Sequence, residues 1–120
     1  MKLIKAYVRT FIVHNVIEAI KCCGCPRLTA IDVREMGDEI DHADLELSGE
    51  YGSTYTTMVK VEIVSTDKCA KKIANIILEN ARTGYKGDGI VVISPIDDII
   101  SIRTGDRGEK VCECKLDHAE

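Results

Sequence analysis

An alternating strand, a helical stripe and a second strand follow one another twice in this chain, and that repeated order limits the fold more than any other feature. Lys2 to Arg9 alternate, with Leu3, Ile4, Ala6 and Val8 set against Lys2, Lys5, Tyr7 and Arg9, the period of a strand. Val13, Val16, Ile17, Ile20 and Cys23 then recur at helical spacing until Gly24 and Pro26 stop the run. Leu28 to Val33 reads as the second strand. The second half opens on MVKVEIVS, Met58 to Ser65, the clearest alternation in the chain. Thr66 or Asp67 can cap the following helix, in which Cys69, Ile73, Ile76 and Ile77 form an apolar stripe running to about Ala81. Ile90 to Ser94 is a short β-branched strand. Asp98 to Arg103, beyond the break at Pro95, is expected to be another. Two such halves predict an α+β, ferredoxin-like split βαβ fold: an antiparallel sheet with both helices on one face.

At 120 residues the chain is one domain by size. Aromatics are only 4 % with no Trp, which argues against stacking on single-stranded nucleic acid, and a net charge of −4 argues against a basic DNA-binding module. No apolar stretch approaches the roughly 20 residues that span a bilayer. The segment MKLIKAYVRT lacks the apolar core of a signal peptide. A cytoplasmic protein is expected, with its six cysteines as thiols rather than a disulfide framework.

The connection between the second and third strands is long. Loops beyond about 12 to 15 residues are usually functional or disordered. Between Glu35 and Thr54 stand seven acids, Glu35, Asp38, Glu39, Asp41, Asp44, Glu46 and Glu50, and no Lys or Arg. Such a loop is expected to order on a ligand or partner, and to seek a basic surface. Cation binding through Asp38, Asp41, His42 and Asp44 fits no calcium-loop spacing.

Gly84, Gly87 and Gly89 fall within six residues, around Lys86 and Asp88. Dinucleotide folds place such glycines between a strand and a helix, where the helix dipole faces the pyrophosphate. Here a helix precedes and a strand follows, so the dipole cannot help. Two readings remain: an anion nest of converging backbone amides, aided by Arg82, Lys86 or Arg103, or a tight helix-to-strand turn.

ARTGYKGDGIVVISPIDDIISIRTGDRG, Ala81 to Gly108, resembles the C-terminal signature of the P-II nitrogen-regulatory signalling family. Thr83, Gly84, Gly87, Asp88, Gly89, Val91, Ile93, Pro95, Ile102, Arg103, Thr104 and Gly105 carry the match. The order of elements and the long loop agree with it, over about residues 1 to 108. The resemblance implies a compact homotrimer that binds an adenine nucleotide between subunits and controls a target protein through a projecting T-loop, here about residues 36 to 56. Residues 109 to 120 are expected to form a flexible tail. By position, Gly87, Asp88 and Gly89 would wrap the phosphates and Arg103 would reach them as a cation. Gly37 would approach from the T-loop base. Thr29, Glu62 and Val64 would line the adenine end, the last two through their backbone.

The sequence also departs from the family. Ile90 stands where a Lys usually follows the last glycine, and Ser101 where the first of two arginines usually stands. Each lost charge-assisted bond is worth about 1.5 to 3 kcal/mol, so ADP or AMP is expected to be favoured over ATP. Glu39 and Met58 occupy the positions of a Gln and a Lys in members that sense 2-oxoglutarate. A carboxylate repels that dianion and Met offers no charge. A divergent member sensing an adenylate together with bicarbonate, tied to carbon fixation, is therefore a second reading. Glu50–Tyr51 matches the segment uridylylated on Tyr in some members, or is an ordinary exposed pair.

Cys22 and Cys25 form C-x-x-C at a helix C-terminus, where the dipole raises rather than lowers a thiol pKa. Cys23 and Cys69 are expected in the core. Cys112 and Cys114 form C-x-C near His118: a soft-metal or redox-sensitive segment, or merely a reduced tail. The two motifs could jointly supply four thiolates, but no zinc spacing supports it, and no metal site is expected. His14, His42 and His118 stand far apart with no supported nucleophile, so a regulatory protein rather than an enzyme is predicted. A slow nucleotide hydrolase and a metal-binding trimer are the rivals from other classes.

Overall fold

The computed structural model describes residues 1–118. Its elements are β1 (Lys2–Arg9), α1 (Val13–Cys22), β2 (Thr29–Glu35), β3 (Glu46–Ser48), β4 (Ser53–Ser65), α2 (Asp67–Ala81) and β5 (Ile90–Pro95), followed by short 3-10 turns at Glu109–Val111 and Lys115–His118. The sheet runs β2-β4-β1-β5 with every pair antiparallel, and β3 pairs separately with β4. This is the α+β order expected of a split βαβ fold: the strand after each helix skips over a neighbour.

The alternation sets which face is buried. Ile4, Ala6 and Val8 of β1 and Val59, Val61 and Ile63 of β4 point to one side, where Val16, Ile20, Ile73 and Ile77 of the two helices cover them. Gly24, with φ +71°, closes α1 in the left-handed conformation that ends many helices. Thr66 caps α2, its hydroxyl accepting from the Cys69 amide at 3.3 Å. The other face of the sheet is open, and Ile31, Ile90 and Val92 are exposed on it.

Three expectations are corrected. Asp98–Arg103 is not a strand in this chain: it belongs to a hairpin held by one isolated bridge between Ile100 and Arg107 and by Ser101 N donating to Asp106 O at 2.8 Å. Its apolar residues alternate as a strand's do, but among the described residues they enter no ladder beyond that bridge. The long acidic segment is partly ordered within the chain itself. Glu46–Ser48 pairs with Ser53–Tyr55, so β4 begins five residues earlier than the alternation suggested. Arg34 sits over the rings of Tyr51 and Tyr55 at 5.2 and 5.0 Å and reaches Glu50 at 3.6 Å. Finally, of residues 109 to 120, expected to be a flexible tail, residues 109–118 pack onto the body, while 119 and 120 lie outside the described residues. Cys112 and Cys114 are buried, and Lys115 N donates to Cys23 O at 2.9 Å. Leu116 packs against the core beside them.

Candidate functional site

The glycine segment folds around one carboxylate. Asp88 accepts from the amides of Thr83 and Gly84, each at 2.9 Å, from the Thr83 hydroxyl, and from Arg9 Nε at 3.0 Å. Burial alone would raise its pKa, but the Thr83 hydroxyl and amide, Arg9 and the Gly84 amide together lower it to about 2. The Asp88 side chain therefore ties the loop shut rather than facing outward. Its neighbours are glycines for a steric reason. A Cβ on Gly89, at φ +102°, would overlap the Tyr7 carbonyl of β1, and one on Gly87, at φ +100°, would meet Asp41 N at 2.8 Å.

Arg9 is the residue that sequence reasoning missed. Alternation assigned it to the polar face of β1, yet it is only 7 % exposed. Its guanidinium donates to Asp88, to Asp41 at 2.8 Å and to the Lys86 carbonyl at 2.8 Å. Burial opposes its charge, while hydrogen bonds to Asp41 and Asp88 raise its pKa, and it stays a cation. The Asp41 carboxylate is in turn held low by the Ala43 amide and by Arg9. One buried cation thus joins the glycine segment to the base of the acidic segment. The available signal was an Arg in a position otherwise suited to solvent, in a chain whose acid-rich stretch has no Lys or Arg of its own.

Beside this knot lies a cleft of about 290 Å³, lined by Tyr7, Glu35, Glu39, Met58, Lys86 and the Gly87–Asp88–Gly89 run, among others. Gly37 lies in the turn between Glu35 and Glu39 with open space around it. Two glutamates and one lysine give the mouth little positive charge. A second, smaller hollow of about 90 Å³ holds Thr29, Glu62 and Val64 with Leu3, Arg27 and Cys112. Of the residues expected at one nucleotide, the structure thus gathers two groups. They stand at opposite ends of the β2–β4 pair: Thr29 pairs with Glu62 at one end and Glu35 with Thr56 at the other. Six residues of strand separate them, about 20 Å at about 3.3 Å per residue. Arg103 joins neither group; it is exposed on the 98–108 hairpin beside Ile102, which is fully exposed.

The chain is thus a two-helix, antiparallel α+β domain with a glycine-bent loop beside a long acidic hairpin. The comparisons give the family: the chain matches the model of "Nitrogen regulatory protein P-II" over residues 1–106, and it belongs to that family. It is 31% identical to nitrogen regulatory protein P-II of Azospirillum brasilense over 108 residues, covering 90% of this chain and 96% of the relative. It is 34% identical to the Pasteurella multocida protein of the same description, covering 91% and 97%. A crystal structure of Arabidopsis thaliana PII bound to citrate superposes with a TM-score of 0.72 at 32% identity, covering 91% of this chain and 86% of that one. Among the described residues no helix is long and apolar enough to cross a membrane.

Proposed function

We propose that this P-II family member binds an adenine nucleotide between copies of itself and passes its occupancy to the 36–56 segment, which controls a target protein. One observation supports the reading: Gly87, Asp88 and Gly89 line one cleft while Thr29, Glu62 and Val64 line another, about 20 Å away along the strands of one chain. A nucleotide cannot use both halves of one subunit, but it can use one half from each of two. Association through the open sheet face would cover Ile31, Ile90 and Val92. Burying Ile102, worth about 2 kcal/mol, would bring Arg103 toward a neighbouring copy. A homotrimer is the closed form this reading takes.

Transmission follows from Arg9. A phosphate on the Gly87 and Gly89 amides would sit against the Arg9–Asp88 pair, and Arg9 also holds Asp41. Ligand that shifts this knot changes the grip on the base of the acidic segment, which is a population shift between loop conformers. That segment, with no Lys or Arg between Glu35 and Thr54, suits a target with a basic surface.

The mouth favours a short phosphate chain. Ile90 brings no cation, and Glu35 and Glu39 line the same cleft. ADP or AMP is therefore preferred over ATP. A 2-oxoglutarate dianion would face the same glutamates, whereas bicarbonate carries half its charge and is the better second effector. Calorimetric titration with AMP, ADP and ATP, with and without Mg²⁺, bicarbonate or 2-oxoglutarate, tests the reading alongside sedimentation. ATP binding tightest, or a single-chain particle at the working concentration, would overturn it.

A further inference from the structure

The cysteines take no part in the nucleotide reading, yet the fold gathers three of them. Cys25 follows the end of α1, Cys69 lies in the first turn of α2, and Cys114 comes from the C-terminal segment. Cys69 and Cys114 are buried with their sulfurs 3.8 Å apart. Cys25 is half-buried and packs against the same core cluster. Asp117 turns its carboxylate to the same point, so that the ligand atoms of Cys69, Cys114 and Asp117 all lie within 4.8 Å of one another.

The spacing is that of a coordination shell. A zinc–sulfur bond is about 2.3 Å, so two sulfurs of a tetrahedral site lie about 3.8 Å apart. Asp117 is oriented from outside the cluster: it accepts from the Thr66 hydroxyl and, at 2.8 Å, from the Cys114 amide, the kind of support that fixes a ligating carboxylate. The N-terminus of α2 and Lys68, whose Nζ donates to Asp117 O at 2.6 Å, place positive potential beside what would be an anionic shell.

We infer that Cys69, Cys114 and Asp117 form a structural site for one thiophilic divalent d¹⁰ ion, zinc foremost, with the neighbouring Cys25 turning in as the remaining ligand when the ion binds, clamping the C-terminal segment to the end of α1 and the start of α2. Binding one such ion releases three thiol protons to solvent and leaves the carboxylate as the fourth ligand, with no change of oxidation state. The sequence motifs misdirect here. C-x-x-C and C-x-C each give one ligand, while Cys22 is exposed and Cys112 donates to the Glu109 carbonyl at 3.4 Å. The remaining thiolate comes from α2. The clamped segment carries Val111 and Cys112, which line the hollow around Thr29, Glu62 and Val64.

The full chain, reduced and stripped with chelator, is titrated with Cd²⁺ and, in parallel, Co²⁺. The expected result is a thiolate-to-metal charge-transfer band that saturates at one equivalent per chain, with the visible d–d bands of tetrahedral Co²⁺. Zn²⁺ should displace the Co²⁺ signal and slow tryptic cleavage after Lys115. Cys22→Ser leaves the titration unchanged. Cys114→Ser abolishes the one-equivalent band, and Asp117→Asn, which keeps the thiols and the shape, weakens binding at least about tenfold. Absence of the band from the folded, reduced wild-type chain overturns the inference, as does a band that survives Cys114→Ser or is lost with Cys22→Ser. Because the readout needs no nucleotide, its failure leaves the reading of the glycine segment untouched.

Discussion

Replacing Asp88 with Asn removes a charge from the centre of the glycine segment while keeping its shape. Asp88 falls from the ordinary 3.8 to about 2 in the folded chain, and at about 1.4 kcal/mol per unit that is about 2 kcal/mol of stability held by the ionised form. The side chain is 23 % exposed, so little of this is lost to solvent screening. The amide nitrogen of Asn would also face donors, the Thr83 and Gly84 amides or Arg9, and an unsatisfied partner there costs about 1 to 3 kcal/mol. Asp88→Asn should therefore destabilise the chain by about 2 to 4 kcal/mol at pH 7. A depressed pKa gives stability that is complete above the unfolded value and disappears as pH falls through the folded one. The wild type should thus lose its share between about pH 4 and pH 2, about 1 kcal/mol of it by pH 3. Urea titrations of both proteins at pH 7 and pH 3, at one fixed protein concentration because assembly would shift the midpoint, measure both effects. A difference under about 0.5 kcal/mol at pH 7, or one that is the same at both pH values, would refute the account of the knot.

Gly89→Ala should cost at least about 3 kcal/mol, since its Cβ overlaps the Tyr7 carbonyl, whereas Gly49→Ala, with nothing within 4 Å, should change the thermal midpoint little. Ile90→Lys restores a cation at the mouth of the cleft and should raise ATP affinity about tenfold by calorimetry, from one charge-assisted bond of about 1.5 kcal/mol. Arg9→Met should weaken the attachment of the acidic segment, read as faster amide exchange in residues 38–44, with little change in β4. Arg34→Ala removes a pair that is 41 % and 73 % exposed and should cost under about 1 kcal/mol in urea.

Local pattern alone placed β1, α1, β2, α2 and β5 to within a few residues, because strand and helix periods are properties of a few consecutive side chains meeting one buried face. The glycine segment was legible too, as was its P-II character, since its spacing is a short-range signature. Asp98–Arg103 shows the limit of that reasoning: Ile100 and Ile102 alternate as strand residues do, yet a strand also needs a partner, and among the described residues it finds only the Ile100–Arg107 bridge. The role of Arg9 was hidden in the same way, since its partners lie 32 and 79 residues away. Cys69 and Cys114 belong to distant segments, and only the packing of the C-terminal stretch against α1 and α2 brings their sulfurs to 3.8 Å. Sequence fixes which residues want burial or a bend; strand register and crossover decide which of them meet, because contact depends on the path of the whole chain.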